Sequence, residues 1–164
     1  MSSRLYSMST TKSFPPAVSD LRSHTGFWLR FVSNDVSQAF ARKLLDSGVT
    51  VAEWVVLREM YGKDEMSPSM LAETMGMTRG AASKLVDRLV AKKLVSREER
   101  SDDRRYQDIA LTSAGRRVVP ALAAIADRND EECFAPLSAK EHVALVSTLK
   151  KLAQAHGLHK IPIE

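Results

Sequence analysis

The sequence predicts a mainly α fold with a single small β-hairpin, and three features predict it. Apolar residues recur at helical spacing through most of the chain, two short helical patterns meet at Gly76, and one alternating segment faces a short strand across a polar loop. With 164 residues, 44% of them hydrophobic, the chain can bury one sizeable core, and a single domain is expected.

Residues 1–19 are rich in Ser and Thr and include Pro15-Pro16, which suggests a flexible arm. They lack the continuous apolar core of a secretory signal. From 20 to 45, Leu21, Trp28, Phe31, Val32, Val36, Phe40 and Leu44 keep near-helical spacing, and Asp46-Ser47-Gly48 ends that helix. Thr50 and Glu53 make a capping box for a second helix, which runs through Trp54, Val55, Leu57 and Tyr61 to Gly62.

The next stretch, from Ser67 to Thr112, is the most informative. Ser67 supplies an N-cap hydroxyl, Pro68 the first helical position, and Met66 an apolar residue placed to staple Leu71. Gly76 breaks that helix by taking a left-handed turn cheaply. Thr78 can cap the helix that follows, with Ala82, Leu85 and Leu89 facing inward and Arg79, Ser83, Lys84 and Arg88 along one outer flank. This is a helix-turn-helix with a polar, basic second helix. The small run Gly80-Ala81-Ala82 near its start lets the backbone approach another surface, as a recognition helix does at base edges.

A hairpin completes the pattern. Residues 94–98 read as a short strand and 106–111 as its alternating partner, with residues 100–105 (RSDDRR) forming a wholly polar loop between them. Such a loop beside a helix-turn-helix reads as a wing, whose tip arginine can enter a narrow minor groove; Asp103 is placed to pair with Arg105 and orient it. The net charge of +4 is weak evidence by itself. Between Ser67 and Arg105, however, nine cations face six anions, so this quarter of the chain holds most of the excess.

Beyond the wing, Thr112 can cap a helix running to roughly Asn129, and Pro120 within it is expected to kink it. Ser138 and Glu141 form another capping box, and Val143, Val146, Leu149 and Leu152 supply the apolar stripe of the last helix.

The run from Thr78 to Gly115 closely resembles the winged helix-turn-helix of the MarR family of bacterial transcriptional regulators. The matching elements are Leu85-Val86-Asp87-Arg88-Leu89, the Asp103-Arg104-Arg105 wing tip, and Leu111-Thr112 followed by Gly115. The resemblance spans residues 20–152. It implies a winged helix-turn-helix core at 50–112, dimerisation helices at 20–45 and 113–157, one MarR-like domain over 20–157, and a short tail at 158–164. It also implies a homodimer that places two recognition helices about one DNA turn apart on a palindromic operator, most simply as a repressor relieved by a ligand. Thr78, Arg79, Ser83, Lys84 and Arg88, with Asp103, Arg104 and Arg105 of the wing, are then the candidate DNA contacts on double-stranded DNA. The family usually has glycine where this chain has Lys93, so a lysine must bear a strained or differently shaped helix exit.

MarR-like proteins often release DNA when a small aromatic or phenolic effector binds between the dimer helices and the DNA-binding lobes. Candidates for such a site are His24, Trp28, Arg30 and Phe31 on the first helix and Trp54, Arg58 and Tyr61 on the second; core packing is the competing role for both tryptophans. Cys133 is the sole cysteine and follows three carboxylates, an acidic setting unlike that of a reactive cysteine, so a buried or inert thiol is expected. No histidine pattern suggests a metal, no glycine-rich loop suggests a phosphate cofactor, and no nucleophile has a base beside it, so an enzyme is not expected. No apolar run of about 18 residues suggests a membrane helix, and a cytoplasmic protein is expected. The competing function is a winged-helix protein-interaction module that does not bind duplex DNA.

Overall fold

The computed structural model describes residues 18–99 and 107–161, with only the backbone of Glu99 and Gln107. Residues 1–17 of the expected N-terminal arm, the wing tip with Asp103, Arg104 and Arg105, and residues 162–164 lie outside the described residues.

A short 3-10 turn, Leu21–Ser23, is capped by Asp20 and precedes α1 (Thr25–Leu44). Then come α2 (Val51–Met60), α3 (Pro68–Thr74) and α4 (Arg79–Ala91), the strands β1 (Val95–Glu99) and β2 (Gln107–Leu111), and the long helices α5 (Ser113–Phe134) and α6 (Ala139–Ala155). The chain divides into two compact units, Met1–Ser33 and Asn34–Glu164, with the boundary inside α1.

Local chemistry explains most boundaries. The Ser67, Thr78 and Thr112 hydroxyls each accept the backbone N–H three residues on, starting α3, α4 and α5. Thr50 with Glu53 and Ser138 with Glu141 form complete capping boxes on α2 and α6. Gly48 and Gly76 end their elements in the left-handed region, at φ +65° and +62°.

The largest departures from the expected boundaries are at α1 and α5, while α2 and β1 shift by one or two residues. The first long helix begins at Thr25 rather than Asp20, because Asp20 caps the 3-10 turn. α5 runs five residues past Asn129 to Phe134. Asn129 is buried within it: its Nδ2 donates to the Val36 carbonyl at 3.3 Å, and Lys43 donates to its Oδ1 at 2.9 Å. An asparagine whose polar atoms are satisfied by α1 has no reason to end a helix. α5 also continues through Pro120, whose missing N–H costs one rung of the ladder.

β1 and β2 pair antiparallel, with Val95 opposite Leu111 and Arg97 opposite Ile109. Met66 joins the hairpin as a third, one-residue rung, exchanging both backbone hydrogen bonds with Ile109 at 2.8 and 2.9 Å. The core of the second unit gathers Val56, Leu57, Leu71, Leu85, Val86, Leu89, Ile109 and Leu122, each at most 3% exposed. Burial of each such side chain stabilises the fold by roughly 1.5–3 kcal/mol. Met66 and Leu71 both belong to this core, as the staple pattern anticipates.

Candidate DNA interface

α4 turns an apolar face to the core and a cationic one to solvent. Ala82, Leu85, Val86 and Leu89 are buried, whereas Thr78, Arg79, Gly80, Lys84 and Arg88 are exposed and Ser83 is half-buried. Among the described residues, the Arg79, Lys84 and Arg88 side chains have no hydrogen-bond or ion-pair partner. A methyl group at Gly80 would meet nothing within 4 Å, so the helix start is open to a close approach. The N–H groups and the dipole of that helix end favour an anion such as phosphate.

The other end of α4 is fastened. Lys92, its C-cap, donates from Nζ to Glu53 Oε2 and to the Gly48 carbonyl, both at 2.6 Å. Glu53 is 1% exposed and also accepts the Thr50 N–H at 2.9 Å. Burial pushes its carboxyl pKa up, but the Lys92 hydrogen bond and charge and the Thr50 bonds outweigh burial and hold it below the ordinary value.

Lys93 occupies the left-handed region at φ +59° and is the one described non-glycine residue to do so. The lysine that replaces the family's glycine thus adopts the glycine conformation, at a cost of roughly 1 kcal/mol. Its carbonyl accepts the Thr112 hydroxyl at 2.8 Å, and the Leu94 carbonyl accepts the Thr112 N–H at 3.1 Å. A methyl on Gly115 would collide with the Leu94 carbonyl, so the start of α5 can pack against this exit only as glycine.

Arg97, on β1, donates to Asp87 at 2.5 Å and stands 3.5 Å from Ser83 Oγ. It ties the wing's first strand to the outer face of α4. Sequence reasoning missed this role: Arg97 was one charge among nine, and only the hairpin register places it against a helix ten residues earlier. The Lys92–Glu53 pair was equally hidden, because Glu53 was accounted for as a capping residue.

The effector candidates fall in both units. In the first unit Trp28 and Phe31 are exposed, with ring centroids 6.2 Å apart, and Phe27 contacts both. Trp28 Nε1 donates to the Arg22 carbonyl at 2.8 Å, and His24 and Arg30 are exposed. In the second unit Trp54 packs against Phe40 and the core, whereas Arg58 and Tyr61 are exposed. A cleft of about 490 Å³ lies elsewhere, at the α5–α6 elbow, lined by Asp127, Asp130, Glu131, Phe134, Leu137 and His142; none of the effector candidates lines it. Cys133 is a free thiol and half-buried. Among the described residues no cluster is placed to hold a metal, and no helix is long and apolar enough to cross a membrane.

A helix-turn-helix with a basic, unpartnered recognition face, braced by a two-stranded hairpin, defines a winged-helix DNA-binding protein. The comparisons agree. The MarR family model matches residues 47–105. A transcriptional regulatory protein named for the hcr operon of Thauera aromatica is 30% identical over 128 residues, covering 77% of each chain. Among solved structures, a mutant MarR from Escherichia coli complexed with operator DNA superposes with TM-score 0.72 at 25% identity, over 82% of this chain and 99% of that one. BpsR of Bordetella bronchiseptica, whose DNA binding is regulated by 6-hydroxynicotinic acid, superposes with TM-score 0.73 at 25% identity, over 84% and 98% of the two chains. The chain belongs to the MarR family, and it is a DNA-binding transcriptional regulator, not an enzyme.

Proposed function

We propose that this regulator works in the cytoplasm as a homodimer that reads a palindromic operator and represses until a small aromatic or phenolic effector relieves it. Residues 20–157 act as one functional domain, with 20–45 and 113–157 supplying the dimer helices. The observation that carries the dimer is α6. No residue of that helix is buried, yet Val143, Leu149 and Leu152 form an apolar stripe 68%, 38% and 47% exposed. A stripe of that kind is stable when a second copy covers it.

On each half-site Arg79, Ser83 and Lys84 enter the major groove, Thr78 and Arg88 contact phosphates, and Arg104 and Arg105, oriented by Asp103, serve the wing. Arg97 and Asp87 hold the wing strand to the recognition helix while this happens. For the effector, the exposed Trp28 and Phe31 rings of the first unit offer stacking surface, and His24 and Arg30 of the same unit offer polar or cationic partners for a phenol or carboxylate.

Sedimentation at micromolar concentration tests the dimer, and footprinting of the DNA upstream of the protein's own gene tests the operator. The expected results are a dimer mass and two protected half-sites about 10 base pairs apart. A stable monomer, or no protection even at low salt, contradicts the proposal; the latter result fits a protein-interaction module. Benzoate, added as an aromatic carboxylate probe, is expected to quench tryptophan fluorescence if the effector site lies at Trp28.

A further inference from the structure

The described chain does not end with α6. His156 N–H donates to the Leu152 carbonyl at 3.0 Å and Leu158 N–H to the Ala153 carbonyl at 2.9 Å, while Gly157, at φ +62°, reverses the chain. The reversal carries the tail to the helix-turn-helix. Ile161 N–H donates at 3.2 Å to the carbonyl of Thr74, the last residue of α3. That carbonyl is one of the four at a helix end that lack an intrahelical donor, so the tail fills a real vacancy.

Lys160 makes a second contact. A methyl group on Gly76 would fall 2.5 Å from Lys160 Cδ and 3.2 Å from its Cβ and Cγ. The lysine stem therefore occupies the space that a side chain at the turn would have filled. Gly76 stands two residues before Thr78, the N-cap of the recognition helix. Lys160 is exposed and, among the described residues, has no carboxylate partner. The resulting juxtaposition is an uncommitted ammonium beside the turn that opens α4.

We propose that the C-terminal tail is an additional arm of the DNA interface, docked through Ile161 and Gly76, with Lys160 contacting a backbone phosphate beside the start of the recognition helix. The inference rests on α4 facing DNA. A phosphate contact of this kind adds affinity without sequence preference. It also ties the end of α6 to the reading head, so the arm restricts the head's position relative to that helix.

The test uses the full-length protein and a fluorescent mixed-sequence duplex of about 30 base pairs, roughly three helical turns. Binding is followed by anisotropy as salt is raised, for wild type, Lys160→Gln, Ile161→Pro and Arg88→Gln. Lys160→Gln is expected to lower the slope of log K against log salt by about one unit, with the melting temperature unchanged. Ile161→Pro keeps the lysine but removes the docking N–H, and it is expected to lose part of the same slope. An unchanged slope for Lys160→Gln while Arg88→Gln lowers it overturns the arm and leaves the recognition helix standing. A lower melting temperature with an unchanged slope makes the tail a structural strap only and also overturns it. Failure of wild type to bind the duplex at low salt overturns the underlying reading instead.

Discussion

The two ends of the recognition helix are built in opposite ways. Its first turns carry Arg79, Gly80 and Lys84 into solvent with no partner among the described residues. Its exit is held by Lys92 on Glu53, Lys93 on Thr112 and, through β1, Arg97 near the last turns. Rigidity is concentrated at the exit. In the proposed docking, cations kept bare are available to DNA, and they are useful only if the helix bearing them is aimed, which the ties at its exit would do.

Breaking the fastened end at its tightest point gives the largest expected effect. Gly115→Ala drives a methyl into the Leu94 carbonyl and is expected to destabilise the protein by about 3 kcal/mol, read from the urea midpoint. Arg79→Ala alters the bare end and is expected to weaken operator binding by about 2 kcal/mol with the urea midpoint unmoved. A fall in stability instead would move Arg79 from the reading face into the scaffold.

Glu53→Gln tests the tie between α2 and the exit of α4, at an expected cost of about 1.5 kcal/mol near neutral pH. The cost is held down because the Lys92 ammonium can regain water. The Glu53 pKa is depressed in the folded state, so its contribution is present above the unfolded carboxylate value of about 4.3 and fades as pH falls through the lower folded value. Acid titration of both proteins should show the stability gap closing below about pH 4; a gap constant across that range would contradict the ionised pair. Lys93→Gly has the smallest effect and the opposite sign: it relieves the left-handed lysine and is expected to raise stability by up to about 1 kcal/mol, reduced by glycine's greater unfolded-state entropy.

The bare end was largely legible in the sequence, and the fastened end was not. Ser67, Gly76 and Thr78 act within a few residues of themselves, and the inward face of α4 follows helical spacing, so the helix-turn-helix could be read directly. Lys93 was also marked in advance, because a lysine at a glycine position implies a backbone requirement. The ties could not be read the same way. Lys92 meets Glu53 across 39 residues, Met66 pairs with Ile109 across the core, and Asn129 bonds α1 from the middle of α5. Each depends on how elements pack rather than on any local pattern, and Asn129 misled as a helix end because its burial was not visible.

We take the bare cations of α4 to read DNA and its fastened exit to aim them. Anisotropy titration of the DNA upstream of the protein's own gene over a range of salt, with wild type, Arg79→Ala and Lys84→Ala, tests this reading most directly. Wild type is expected to bind in a salt-dependent way, Arg79→Ala to lose about tenfold or more, and Lys84→Ala to show either a slope lower by about one unit or a relaxed base preference. Identical titrations for all three proteins, or no binding by wild type at low salt, would contradict that reading.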